Sequence, residues 1–303
     1  MSALQILCIV ISLGITIVGV GLLVRAVRHF VTTFKLGAPD HTRTGEKGAR
    51  TVTLLREFLG HTRMSRLPVV AIAHWFTMVS FGVLFLTLVM AFGQVFDPHF
   101  VLPLIGHFVL YEWITELFAV TGLAGIVALM VIRQRSHPRS AAGDEGRRSR
   151  FFGSTFWQAY YVELTILGVA LCITLLRGLE YAQYAVEGSD YASALHFPFT
   201  FWLGELFGGM SEGALGTAII VIATIKIVIS MAWMITISLT PTMGVAWHRF
   251  LAFFNIFFKR HADGRTSLGE LQPMMVGGEP FSMEVMEEMG ESEDEVSLGV
   301  GKV

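Results

Sequence analysis

Five stretches of this chain are too long and too apolar to be folded in water. A helix rises 1.5 Å per residue, so about 20 apolar residues cross the hydrocarbon core of a bilayer. Runs at Leu4–Val24, Pro68–Phe92, Phe108–Ile132, Phe156–Leu176 and Ala214–Leu239 meet that length and predict five membrane-spanning helices. Pro68 stands at a tolerated helix start, and the fifth run stops before Pro241. A bilayer admits only helices or closed barrels, and these runs are far too long for barrel strands. The expected class is an all-α integral membrane protein, a five-helix transmembrane bundle. Composition agrees, with 53% hydrophobic and 15% charged residues, where soluble domains carry about 25% charge.

The charges fix an expected orientation. Arg25, Arg28, Lys35, Arg43, Lys47, Arg50, Arg56, Arg63 and Arg66 lie between runs one and two, and Arg133, Arg135, Arg139, Arg147, Arg148 and Arg150 between runs three and four. Arg249, Lys259, Arg260 and Arg265 follow run five. The remaining loops hold Arg177 against Asp97, Glu180, Glu187, Asp190, Glu205 and Glu212. Positive residues stay in the cytoplasm. The N-terminus is therefore expected outside, the C-terminus inside, and the chain in the cytoplasmic membrane as a multi-pass protein. The first run has its basic residues after it, not before it, and reads as a retained helix. The aromatic loop Gly178–Gly213 is expected to cap the outer face, where a lid over a lipid-soluble ligand is one role open to it.

Cys8 and Cys172 each sit inside an apolar run and read as small buried residues. With no Cys-x-x-Cys spacing, no iron–sulfur cluster is expected from this chain alone. Nothing in the charge pattern asks for nucleic acid.

Of ten histidines, most fall in loops or at membrane edges: His29, His41, His61, His99, His137, His196 and His261, with His107 near the outer end of span three. His74 and His248 differ. One lies just inside the entry of span two, the other just past the exit of span five, so both belong at one depth near the cytoplasmic face. Histidines on facing helices are what a buried metal or a bis-imidazole haem needs. Polar anchoring at the interface is the other reading. Arg249, Arg66 and Arg63 lie on the same side, where they either meet haem propionates or express the positive-inside bias. Embedded ionisable residues are functional candidates by default. Glu112 and Glu116 share a face of span three, Glu163 lies in the inner half of span four, and Lys226 near the middle of span five. Lys226 should face the bundle, pairing with Glu163 or a propionate. With His107, the carboxylates Glu112 and Glu116 form a candidate quinone or proton site.

The stretches Ala73-His74-Trp75-Phe76 and Trp247-His248-Arg249-Phe250, with the aromatic run Phe253–Phe258, resemble the gamma subunit of respiratory nitrate reductase and its relatives. Within that family the resemblance is closest to the N-terminal membrane domain of bacterial iron–sulfur oxidoreductases linking electron-transfer flavoprotein to menaquinone. These are five-helix b-type cytochromes. The family places two histidines ten apart on helix two and two more eighteen apart around helix five, holding two haems. Here Leu84 and Ser230 stand at the second position of each pair. The two missing residues belong to the outer haem, and the two present share the inner one. The resemblance thus implies one haem b, with His74 and His248 as its axial ligands and Arg249 beside a propionate. It also implies quinone as substrate and a cytoplasmic iron–sulfur domain or subunit as partner.

Residues 1–260 are accordingly read as the haem-b membrane domain and 261–303 as a cytoplasmic acidic linker or tail. From Glu270 to Glu295 that tail has nine acidic residues and no basic one, and it is expected to be disordered. The expected function is electron passage between the iron–sulfur module and membrane quinone, in the direction of menaquinone reduction. The chain would be an oxidoreductase component, not a complete redox enzyme. A haemless membrane anchor for a redox partner is the alternative. A transporter is disfavoured, since no inverted repeat or paired broken helices are visible.

Overall fold

The computed structural model describes residues 1–37, 40–138, 149, 151–265, 274–276 and 279–283. The fold is helical: α1 (Ala3–Phe34), α2 (Lys47–Leu54), α3 (Pro68–Val83), α4 (Phe85–Phe96), α5 (Val109–Arg135), α6 (Phe156–Glu187), α7 (Phe201–Glu205), α8 (Glu212–Leu239) and α9 (Gly244–Phe257). A two-residue antiparallel pairing, Met275–Val276 with Glu279–Pro280, is the one strand feature among the described residues. The expected disorder of the acidic tail falls mostly on residues outside those described.

Four helices, α1, α5, α6 and α8, are long and apolar enough to cross a membrane. The α3–α4 pair makes a fifth crossing when counted as one span bent by 44°. This is a multi-pass membrane protein. The second span was expected as one helix over Pro68–Phe92, and the structure divides that stretch into two helices. The break is at Leu84, whose own N–H still bonds the Ser80 carbonyl at 2.8 Å. No proline stands there, and Gly82, two residues earlier, is the one helix-weakening residue beside the break, so the apolar pattern runs through it.

Two other helices outrun their apolar segments. α1 continues to Phe34, because nothing between Arg25 and Phe34 breaks a helix. α6 continues eleven residues past Leu176 to Glu187 and ends where Gly188 takes a left-handed conformation, φ 68°. The expected loop from Gly178 is therefore helix for its first third. Arg177, Glu180 and Gln183 are buried there and bonded inside the bundle, so the onset of charge does not mark the end of the span.

The bundle is organised around α8, which packs against α1, α4 and α6, while α5 packs between α3 and α6. Leu215, Ile219, Ala223 and Ile227 of α8 are wholly buried against Ala91 and Val95 of α4 and Leu176 and Leu179 of α6. α5 approaches α3 through small residues. Gly122 faces Ser80, Gly125 faces the Ala73 carbonyl, and the Ser80 hydroxyl donates to the Phe118 carbonyl at 2.8 Å. That close crossing fixes the helix carrying His74.

Candidate functional site

At the end of the bundle where Arg63, Arg133 and Arg249 come together, a cavity of about 760 Å³ opens between α3, α5, α6 and α9. Its walls are mostly apolar, with Met78, Phe81, Ile126, Leu129, Val162 and Ile166 among them. Into it project His61, His74, His248 and Arg249.

Each is placed by local structure. α3 begins at Pro68 and brings His74 one and a half turns in. The chain after α8 turns at Pro241 and re-enters as α9, and Trp247 anchors it by donating to the Ile237 carbonyl at 3.1 Å. Its ring also packs edge-on against Phe30 of α1 at 4.6 Å. This sets His248 opposite His74, with ring centroids 6.2 Å apart and planes 39° apart. The sequence had put these two at one depth, and the fold makes them neighbours.

The far side of α9 is clamped as well. Arg50 of α2, fully buried, donates to the carbonyls of Phe257 and Lys259 at 3.1 and 2.6 Å and to those of Thr42 and Gly45. Thr53 donates to the Ala262 carbonyl at 2.6 Å. The segment before α3 is thereby tied to the segment after α9. Glu57 adds an ion pair to Lys259 and another to Arg63 at 2.9 Å. Burial opposes ionisation of Glu57, but its hydrogen bonds from Arg63 and Lys259 win and hold the carboxyl below its ordinary value.

His61 was read as a loop histidine. It does lie in a connection, and from there it is the third imidazole of the cavity, with Nε2 2.9 Å from His74 Nδ1 and Nδ1 2.9 Å from the Phe58 carbonyl oxygen. Thirteen residues separate it from His74, and no helical period joins them. The signal that could have found it is weak: a histidine after Gly60, in the short connection leading into Pro68.

Arg249 is the cation of the site. Its guanidinium lies 4.6 Å from the Phe81 ring centre and 4.7 Å from that of Trp233. Among the described residues no carboxylate pairs with it. Burial lowers its pKa to about 10, so it is still charged at neutral pH. Burial, and then the adjacent Arg249, also hold the His248 imidazole below its ordinary value, leaving it neutral with a nitrogen lone pair to offer. Arg63 lines the same cavity but is engaged by Glu57, and Arg66 is exposed. Arg133 and Glu163 close the α5–α6 side with a 2.7 Å ion pair through Oε1. Glu163 Oε2 is buried, with no hydrogen-bond partner among the described residues.

The arrangement fits a bis-imidazole haem. Two metal–nitrogen bonds of about 2 Å, plus the distance from each nitrogen to its ring centre, set centroids roughly 6 Å apart. The volume lies within the range of small-molecule and cofactor sites, about 300–1,000 Å³. An apolar slot with one uncompensated cation at its rim suits a large ring bearing carboxylates.

The opposite end of the bundle is built differently. Glu116 is fully buried and accepts from Arg177 Nε at 3.0 Å, the Thr200 hydroxyl at 2.6 Å and the Phe199 and Thr200 amides at 2.8 and 3.1 Å. Glu112 lies 2.6 Å from His196 Nδ1 and 4.0 Å from His107 Nδ1. His107 is stacked on Tyr191 at 4.1 Å. The three residues of the expected quinone or proton site are thus close together, but their carboxylates bind the segment from His196 to Thr200 to the bundle. The space beside them is about 30 Å³, room for a water or two and not for a quinone ring. The aromatic connection between α6 and α8 does act as a cap, with Phe197 buried and Arg177 over its ring at 4.0 Å.

Lys226 points into the bundle, as its charge requires, and is 1% exposed. The expected partner Glu163 is not its partner: Glu163 binds Arg133, and Lys226 binds Thr87. Compared with protein-family models, with curated proteins and with solved structures, the chain matches none.

Proposed function

We propose that this chain is a membrane b-type cytochrome domain of the nitrate reductase gamma-subunit kind. In this reading His74 and His248 hold one haem b, and electrons pass between a cytoplasmic iron–sulfur module and membrane quinone. The observation that carries the reading is the pair of imidazoles facing each other at 6.2 Å across an apolar cavity of about 760 Å³. Bound there, haem supplies reversible one-electron transfer. The protein's part is to present two neutral imidazoles, to exclude water with apolar walls, and to offer Arg249 to a propionate. The unpaired guanidinium supports that last role, since a buried cation without a counter-ion is costly.

The basic end would be cytoplasmic, with the N-terminus outside. A cytoplasmic iron–sulfur domain or subunit would dock beside α9, and electron-transfer flavoprotein would stand upstream of it. In the direction of menaquinone reduction, two protons must reach the quinone along with two electrons. Glu163 is better placed for that than Glu112 or Glu116, because its free oxygen borders the large cavity while theirs hold the fold.

The test is the absorption spectrum of the purified, dithionite-reduced protein expressed with ample haem. The expected result is a low-spin b-type spectrum, lost in His74→Ala and in His248→Ala. A wild-type protein that binds no haem, or alanine variants that keep a full low-spin complement, would overturn the reading and favour a haemless anchor for a redox partner.

A further inference from the structure

His61, His74 and His248 stand in a row, with His74 in the middle: its ring centroid is 5.2 Å from that of His61 and 6.2 Å from that of His248. The row begins at a carbonyl. The Phe58 oxygen can only accept, so the His61 Nδ1 at 2.9 Å must carry a proton and donate it. In the neutral ring Nε2 is then an acceptor. That nitrogen is 2.9 Å from His74 Nδ1, so His74 must donate from Nδ1. Its Nε2 is left with the lone pair.

We propose that His61 is a positioning residue that fixes His74 in its Nδ1-protonated tautomer and presents Nε2 as the ligand nitrogen. The effect on the metal rests on the haem reading above; the tautomer does not. Metal-bound histidines generally donate their second N–H to such a partner, which orients the ring and raises its basicity. Here the partner is another histidine, itself set by a backbone carbonyl.

Backbone geometry supports the assignment independently. His61 has φ 49°, in the left-handed region that non-glycine residues enter uncommonly. It follows a π-helical turn, Leu55–Leu59, and Gly60. Two further bonds hold that turn in place. Trp75, the neighbour of His74, donates to the Leu59 carbonyl at 2.8 Å, and Arg63 donates to Glu57 Oε1 at 3.0 Å. An unfavourable backbone held by several bonds, and aiming one side chain at another, is how a functional constraint looks.

The test compares His61→Gln, whose amide oxygen can replace Nε2 as acceptor, with His61→Leu, which has none. Both bear the same backbone penalty, so the difference isolates the hydrogen bond. At one fixed pH, His61→Leu should retain oxidised haem about 10–100-fold less tightly than wild type. A tenfold loss confined to the oxidised form raises the one-electron reduction potential by about 59 mV. His61→Gln should restore most of both. If Gln and Leu both match wild type in retention and potential, the positioning role is wrong while the haem reading stands. If His61→Leu loses the low-spin spectrum as completely as His74→Ala, and Gln does not restore it, His61 is itself a ligand and the proposal is overturned. A second readout needs no haem. In ¹⁵N-histidine-labelled protein in lipid, the signals that disappear in His61→Gln should be those of a neutral Nδ1-protonated ring. A doubly protonated or Nε2-protonated ring would refute the tautomer chain even if the haem reading failed.

Discussion

Lys226 donates to both oxygens of Thr87, the carbonyl at 2.7 Å and the hydroxyl at 2.8 Å. The Thr87 hydroxyl in turn donates to the Leu84 carbonyl at 2.6 Å. Leu84 is where α3 stops and α4 begins, and its carbonyl accepts the Thr87 N–H at 3.1 Å as well as the hydroxyl. Breaks in membrane helices persist where side chains take up the freed backbone groups. Here the hydroxyl of α4 bonds the carbonyl at the break, and the ammonium of α8 holds the residue that carries it.

This relationship predicts an asymmetry between the two partners. Hydrogen bonds to a charged group are worth about 1.5–3 kcal/mol, and a cation at mid-bilayer costs about 2.5–3.5 kcal/mol. The two nearly offset. Lys226→Met should therefore change stability by less than about 2 kcal/mol, whereas Thr87→Val leaves a buried ammonium short of a partner and should cost more. The double variant should be more stable than Thr87→Val alone. A denaturation cycle in detergent measures all four proteins. A Lys226→Met variant that is the least stable of the set would refute the argument.

The α3–α5 contact offers a sharper steric test. A Cβ on Gly125 would lie 2.7 Å from the Ala73 carbonyl oxygen and 2.9 Å from Thr77 Oγ1. The first of these is backbone and cannot rotate away. Gly125→Ala should destabilise the bundle by about 1–3 kcal/mol, the usual range for overpacking. Because Ala73 adjoins His74, any haem spectrum should broaden or weaken as well. Gly14 has nothing within 4 Å of its virtual Cβ, and Gly14→Ala is the control expected to be neutral. Equal thermal midpoints for the two variants would show that α3 yields at no cost.

How much of this could be read in the sequence depends on what each feature is made of. The apolar runs placed the spans because the bilayer demands about twenty residues whatever their order. His74 and His248 were found by depth, since each lies at a recognisable end of such a run. The break at Leu84 was invisible because its stabilising groups, Thr87 and Lys226, look like ordinary span residues until the helices pack. The end of α6 was misplaced because Arg177 and Glu180 read as solvent-facing charges, yet they pair with each other and with Glu116 and Gln94 inside the fold. His61 was missed because its position depends on a left-handed residue and a π-helical turn, which no hydrophobic period records.

The Glu57 cluster carries a pH prediction. Its carboxyl is held below the ordinary value of 4.5 by Arg63 and Lys259 against the opposing effect of burial. A depressed folded value means that the stabilisation is fully present above the unfolded value and lost as pH falls through the folded one. Glu57→Gln should thus be less stable than wild type at neutral pH, and the gap should close as the pH drops below about 4.5. Thermal midpoints of both proteins across pH 3–7 would show it. A gap that stays constant down to pH 3 would mean that the ion pairs contribute nothing through the charge of Glu57.

The last prediction concerns the second haem that the resemblance would allow. Placing histidines at the two positions the resemblance marks, by Leu84→His and Ser230→His, should not install one. Ligands alone do not make a haem site; the ring also needs a slot. At the basic end the cavity is about 760 Å³, and the one beside Glu112 and Lys226 is about 30 Å³. Leu84 is buried against Ala119 and Ile173, with Phe118 and Val169 completing that cluster. Ser230 donates to the Lys226 carbonyl at 2.8 Å, one turn from the ammonium that bonds Thr87. Opening this region for a porphyrin would displace the α4–α6–α8 core and strand Lys226, Arg177 and Glu116 together. The double variant should therefore bind the same haem per chain as wild type, at most one, as measured by pyridine haemochrome against protein, and with lower thermal stability. Two haems per chain in the double variant would show that the outer half yields readily to a cofactor, and that the side chains filling it are not what excludes one.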